Sequence, residues 1–195
     1  MKASSTPDAG DPTPNNRQGG AAVAPRVLAV TGDHWSAARS MLTGRSQATV
    51  LAAMSPQQPD GLMRAFLVTA RQLGTHLTLM FGDLSGALAF LDEAAASDVD
   101  AGRLRLVSVA GGVPKHWSRR VDQLSYSLWD IDRMLRLGVI PVDIVLAKVR
   151  AGARPGQVGF GEMVGYTPSA LDTRAAAVFE LQGGADGGDF HCSQA

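Results

Sequence analysis

The chain of 195 residues has one cysteine, Cys192. Neither an internal disulfide nor a cysteine-built metal cluster can form from it, and the composition fits a reducing compartment, expected to be the cytoplasm. Net charge is lacking as well, because 18 Lys and Arg stand against 18 Asp and Glu. Nothing therefore draws the chain by charge to nucleic acid or to an anionic membrane. No apolar run approaches the roughly 20 residues that a membrane-spanning helix requires. Lys2 stands near the start, but the apolar segment of a secretion signal does not follow it. Among the histidines, His34, His76 and His191 share no metal-ligand spacing, so no metal is expected. Aromatics make up only 6%, and Trp117 and Trp129 are expected to be core or interface residues rather than stacking platforms.

What is present is a 45% hydrophobic chain, enough for one α/β domain of about 150 residues with tails. Residues 1–25 are rich in Ser, Pro, Gly, Asn and Ala without periodicity. They bury too little apolar surface to offset their ordering entropy and are expected to be disordered. Residues 183–195 (GGADGGDFHCSQA) read as a flexible Gly-rich tail, which leaves 26–182 as the domain.

Within the domain, strand and helix patterns alternate. RVLAVTG reads as a short strand, followed by a helix capped by Asp33 or Ser36 and ended by Gly44. ATVLAAM (Ala48–Met54) reads as a buried strand, with Ser55 and Gln57 in the loop leaving its carboxyl end. A helix over Leu62–Leu73 follows, closed by Gly74. Then come a strand at Thr75–Phe81, a helix at Gly86–Ala95 carrying Leu88 and Leu91, and a strand at Arg103–Ala110. This order is the mark of βαβ units, so the expected fold class is α/β, a mostly parallel open sheet flanked by helices. The strands of the sheet are expected at about Ala48, Thr75, Arg103, Val142 and Ala176.

The strongest pattern runs from Arg136 to Val149, RLGVIPVDIVLAKV. A basic helix end reaches the stop at Gly138, Pro141 resets the backbone, and an apolar run follows. Val142, Ile144, Val145, Leu146, Ala147 and Val149 alternate too little for a half-wet strand, so both faces are expected to be covered. Ligands of open α/β sheets sit beyond the carboxyl ends of strands, which puts Lys148 where chemistry is expected and Asp143 where it is not. Alternation places Ile144, Leu146 and Lys148 on one face. An ammonium there needs an anion from a substrate or partner, or else snorkels to water.

The segments YSLWDIDRMLRLGVIPVDIVLAKV and PGQVGFGEMVGYTPSALDTRAAAVFELQ resemble the first half of the acetyl-CoA hydrolase/CoA-transferase family subunit. Its members read G-x-x-P-V-D-V-A-L-x-Q-V, then P-P-D-x-x-G-Y-x-S-L-G, then a strand A-x-x-V-I-x-E-V-N. Gly138, Pro141, Val142, Asp143, Leu146, Val149, Gly156, Gly161 and Glu180 fall in register. The second half of the chain carries the match, and the first half follows by element order only. Three departures stand out: Lys148 replaces the family's Gln, Ala151, Gly152 and Ala153 replace P-P-D, and Gly159 replaces the Ser of S-L-G.

The resemblance implies a CoA-transferase-like single domain that acts on an acyl thioester of coenzyme A without a metal. In the family the Glu that forms the covalent acyl thioester lies in a second domain of similar fold. A complementary subunit, in a heterodimer or heterotetramer, is therefore expected to supply it, and this chain alone is expected to be inactive. Gln157, Gly159 and Gly161 occupy the family's glycine-rich hairpin, where backbone approaches substrate. Glu162 beside them reads either as a general base or as a surface carboxylate. Gly111 and Gly112, at the end of the third strand, read as a close approach to the CoA pyrophosphate or thioester oxygen, or as a plain turn. Lys115, His116, Arg119 and Arg120 read as a cluster for CoA phosphates or as a solvated face. The substrate-binding candidates are thus Ser55, Gln57, Gly111, Gly112, Lys148, Gln157, Gly159 and Gly161, with no catalytic residue assigned. Two functions remain open: a subunit for acyl-CoA transfer, hydrolysis, decarboxylation or dehydration, or a non-catalytic homologue that stabilises or regulates a partner.

Overall fold

A computed structural model describes residues 27–30, 33–54, 58–83, 88–151, 158–160 and 165–182. The expected segments 1–25 and 183–195 lie outside the described residues. In chain order the elements are β1 (Val27–Val30), α1 (His34–Leu42), β2 (Gln47–Ala52), α2 (Asp60–Leu73), β3 (His76–Asp83), α3 (Glu93–Asp100) and β4 (Leu104–Gly111). Then follow β5 (Val121–Gln123), α4 (Leu128–Arg136), β6 (Ile144–Ala151), β7 (Val158–Gly159), α5 (Thr167–Leu171) and β8 (Ala176–Leu181).

Seven strands form one parallel sheet in the order β1-β8-β6-β2-β3-β4-β5, and β7 folds back antiparallel on the end of β6. From β2 the chain winds outward through β3, β4 and β5, then returns across β2 to β6 and β8. The winding direction reverses between β2 and β6. One sheet face packs Val50, Leu79, Leu106, Leu146 and Val178 against α1, α2 and α3. The other packs Leu51, Val107, Val145, Ala147 and Phe179 against α4 and α5. The near-continuous apolar run of β6 is therefore buried on both sides, as a central parallel strand must be.

Asp143 fixes the reversal. Its carboxylate accepts the Thr49 N–H at 2.7 Å, its own N–H donates to the Thr49 carbonyl and its carbonyl accepts from Ala176 N–H, both at 2.9 Å. Arg45 lies 3.8 Å from the same carboxylate. One aspartate thus joins the amino ends of β2, β6 and β8. Gly138, with φ of 68°, closes α4 just before it.

Several expected elements move. The helix expected over Gly86–Ala95 begins only at Glu93, because Asp92 accepts the Ala95 N–H at 2.8 Å and sets the N-cap there. Leu88, with φ of 46°, is in the left-handed region, where a helix cannot run through it. The main strand starts at Ile144 rather than Val142, since Asp143 is spent on the staple. β5 is too short to show a period, and the segment 115–120 before it is a run of turns. Trp117 is buried, whereas Trp129 is 82% exposed.

Asp98 of α3, with 7% of its side chain exposed, clamps the β3–β4 crossover to α2. It accepts from Arg71 of α2 at 2.6 Å and from Arg103 before β4 at 2.8 and 3.0 Å. Burial raises the pKa of this carboxyl, but the hydrogen bonds from Arg103 and Arg71, with their charges, outweigh it and hold the group below its ordinary 3.8. The clamp's contribution is therefore complete above pH 3.8 and is lost as pH falls through the lower folded value. Asp98→Asn should cost about 2–4 kcal/mol in urea unfolding at pH 7. The gap between variant and wild type should close in acid, and a gap that stayed constant down to the acid transition would rule out the clamp as its origin.

Candidate functional site

At the carboxyl edge of the sheet the chain leads from β2 and from β6 to helices on opposite faces, the position where open α/β sheets take ligands. Buried contacts hold these strand ends. Tyr166, wholly buried, donates its hydroxyl to the Ala52 carbonyl at the end of β2 at 2.9 Å. Burial alone pushes its phenol pKa up, so it stays neutral and acts as a donor. Gln58 donates to the Gly82 carbonyl at 2.6 Å, beside the register shift between Phe81 and Gly82 in β3. A Cβ at Gly82 would stand 3.0 Å from the Tyr166 hydroxyl and 3.1 Å from Met54, so the closeness of these strand ends depends on glycine.

Three titratable side chains meet on the helix-covered face above α1 and α2. Lys148 of β6 is in register with Glu180 of β8, and its ammonium lies 3.2 Å from Glu180 Oε1. His34, the first residue of α1, brings Nε2 to 3.5 Å from Glu180 Oε2. The side chains are 27%, 14% and 26% exposed for Lys148, Glu180 and His34 respectively. Oε2 itself is buried and has no hydrogen-bond partner among the described residues. A buried carboxylate oxygen left so is costly, and His34 Nε2 is the polar atom that faces it. The outside anion considered for Lys148 in the sequence is thus not needed for neutrality, because Glu180 supplies it from the neighbouring strand.

Gly61, in the first turn of α2, lets this cluster close. A Cβ there would fall 2.6 Å from His34 Cε1, 2.7 Å from Nδ1 and 3.3 Å from Glu180 Oε2. His34, Glu180 and Gly61 were not among the sequence candidates. The signal that reaches them is the period of β8: Ala176, Val178 and Glu180 share one face, so Glu180 is the single acid on the row that faces Lys148.

The other candidates are not gathered around Lys148. Gly111 ends β4 and Gly112 follows it, three strands from β6, on the order of 14 Å away by strand spacing. Gly159 pairs with Arg150 in the β6–β7 hairpin. At Gly112 and Gly159 a Cβ would meet nothing within 4 Å among the described residues, so packing inside the chain does not demand glycine at either. Arg120 is held by Asp100 at 2.8 Å, which reduces the basic cluster to the exposed Lys115, His116 and Arg119. Ser55, Gln57, Gln157, Gly161 and Glu162 lie outside the described residues. Among those described, no group of three or more His, Cys, Asp or Glu is placed to hold a metal, and no helix is long and apolar enough to cross a membrane.

A double-mutant cycle tests the cluster. Gly61→Ala should destabilise the wild-type chain by displacing His34, yet stabilise a His34→Ala background by about 0.5–1 kcal/mol, the ordinary helix preference for alanine. Equal effects in both backgrounds, read from chemical unfolding, would show that the ring and the glycine do not interact.

No protein-family model and no curated protein matches this chain.

Proposed function

We propose that the chain is one subunit of a CoA-transferase-like enzyme, holding an acyl thioester of coenzyme A at the carboxyl edge between β2 and β6. The catalytic carboxylate of such an enzyme would come from a complementary subunit. The observation that carries this reading is the reversal of winding at β2 and β6 with Lys148 on the carboxyl side of it. The in-register residues support it, since Gly138 and Asp143 turn and staple the strand that delivers Lys148. The bare backbone at Gly112 and Gly159 offers close approach to an extended ligand.

In this reading Lys148 keeps its ammonium on Glu180 through one donor and offers its remaining donors to a thioester oxygen or a phosphate. Coenzyme A supplies the thioester, and the residues of this chain bind and orient it. The division of the hard acyl transfer into two steps by a covalent intermediate belongs to the carboxylate on the other subunit. One observation favours a second reading, a non-catalytic homologue that stabilises a partner: the Lys148–Glu180 pair is complete without any ligand.

Calorimetric titration of the full chain with coenzyme A and acetyl-CoA separates the two. The first reading expects saturable binding of both and an intact mass unchanged by acetyl-CoA. Lys148→Gln, which restores the family's residue, should keep binding, whereas Lys148→Met should lose about tenfold in affinity, roughly 1.4 kcal/mol. Lys148→Met should also lower stability by about 1–3 kcal/mol, because it strips the cation from a mostly buried carboxylate. Absence of any CoA binding by a folded wild-type chain leaves the second reading. An acyl or CoA adduct on one of its own carboxylates would overturn the division of labour.

A further inference from the structure

Lys148, Glu180 and His34 meet at the carboxyl edge, and the sum of their charges depends on the imidazole. With the ring neutral, the ammonium and the carboxylate 3.2 Å from it cancel. The cluster then has donors to offer but no net charge. Imidazole is the side chain whose ordinary titration falls between about pH 5 and 8, and a proton on it gives the cluster one net positive charge.

The geometry says what that proton does. His34 Nε2 lies 3.5 Å from Glu180 Oε2, the buried oxygen that has no hydrogen-bond partner among the described residues. A charged ring therefore draws on the same carboxylate that neutralises Lys148 through Oε1. The ammonium, less fully compensated, is left to act on an incoming anion. Exposure favours this direction, since 26% of the His34 side chain and 27% of Lys148 reach solvent against 14% of Glu180. Gly61 keeps the ring in place, because its missing Cβ leaves the space that Cε1 and Nδ1 occupy.

The other charges around His34 are committed to helix starts. β1 (VLAV) carries none. On α1, Asp33 accepts the Ser36 N–H at 2.9 Å as the N-cap. On α2, Asp60 stands in the first turn before Gly61, and Arg64 donates to the Ala89 carbonyl at 2.8 Å. Glu180 of β8 is thus the carboxylate held between two groups that can both be cations.

We propose that this edge takes an oxyanion, of the phosphate or carboxylate class, on the Lys148 ammonium, and that His34 admits it by taking up a proton and a share of Glu180. The inference rests on the reading of the carboxyl edge as the ligand site and names the group held there, an anion rather than an uncharged thioester oxygen. His34 is a positioning residue in it. By linkage, a proton that favours the anion is itself favoured by the anion, so affinity rises as pH falls through the imidazole range.

Calorimetric titration of the full chain with sulfate tests it, because sulfate keeps its charge between about pH 8 and about pH 5.5. The wild type should bind at least about tenfold more tightly at the lower pH. Midway, the heat should vary with the ionisation enthalpy of the buffer, which reports proton uptake. His34→Ala and His34→Gln should both remove the gain in acid, whereas His76→Ala, at the amino end of β3, should keep it. Glu180→Gln should bind sulfate at pH 8 about as tightly as the wild type does at pH 5.5, since the ammonium then needs no proton to be uncompensated. S-acetylpantetheine, a thioester without phosphate, should show no gain in acid. Equal sulfate affinity at both pH values, no sulfate binding at either, or a gain that survives both His34 variants would overturn the inference. Coenzyme A titrated at pH 8 reads the ligand site by itself. Binding there without a pH-linked sulfate site removes this inference alone, and sulfate linkage without coenzyme A binding removes the CoA reading alone.

Discussion

The pairing of Asp143 with Thr49 is the constraint on which the rest of the sheet depends. A parallel sheet that winds outward from one strand and then returns needs its first strand held against a strand almost a hundred residues away. The chain meets that need with one residue that uses its carboxylate, its N–H and its carbonyl at once. Only after β2 and β6 are in register do Val50, Leu51 and Ala52 lie against Ile144, Val145 and Leu146. Only then does the apolar run of β6 have a strand on each side. The long loop closure is entropically costly, and the staple shares that cost with two buried sheet faces.

Among the described residues several charges are paired where elements meet. Asp98 joins α2, α3 and the entry to β4. Arg120 reaches back to Asp100, and Arg136 bridges α4 to Asp172 after α5. Pairs that are largely exposed add little stability, and their value lies in register. The buried ones differ: Asp98 and Glu180 are each almost enclosed, so removing the partner leaves a charge with nowhere to go. Lys148 and Glu180 therefore constrain each other even where no ligand is present.

The fold class and most strands were legible because their signals are local: period, glycine stops and caps lie within ten residues. The Arg136–Val149 stretch told its own story, from the Gly138 stop through a strand with two buried faces. The start of α3 was misread because Asp92, a single capping residue, outweighed the apolar spacing of Leu88 and Leu91. β5 gave no period in three residues. The site was less legible, since its members are long-range by nature. Lys148 could be placed on the correct face, but its counter-ion is 32 residues on and its third member, His34, is more than a hundred residues back. Sheet order decides that β8 rather than β2 lies beside Lys148 at that height, and no local pattern encodes it.

The two ends of β6 do different work with the same chemistry. At its amino end a carboxylate accepts the Thr49 backbone N–H and faces Arg45, so Asp143 ties β2 to the start of β6. At its carboxyl end a carboxylate is shared between an ammonium and an imidazole that are each about a quarter exposed, so Glu180 holds groups that still reach solvent. Rigidity at the first end is what lets the second be exact in position, because side chains five residues apart on one twisted strand are carried by the same backbone. The bare Cα of Gly61 completes the arrangement by admitting His34 where any side chain would expel it. The fold thus spends a glycine, a histidine and an ion pair at the edge where α/β sheets take ligands, and a single aspartate on strand register at the opposite end.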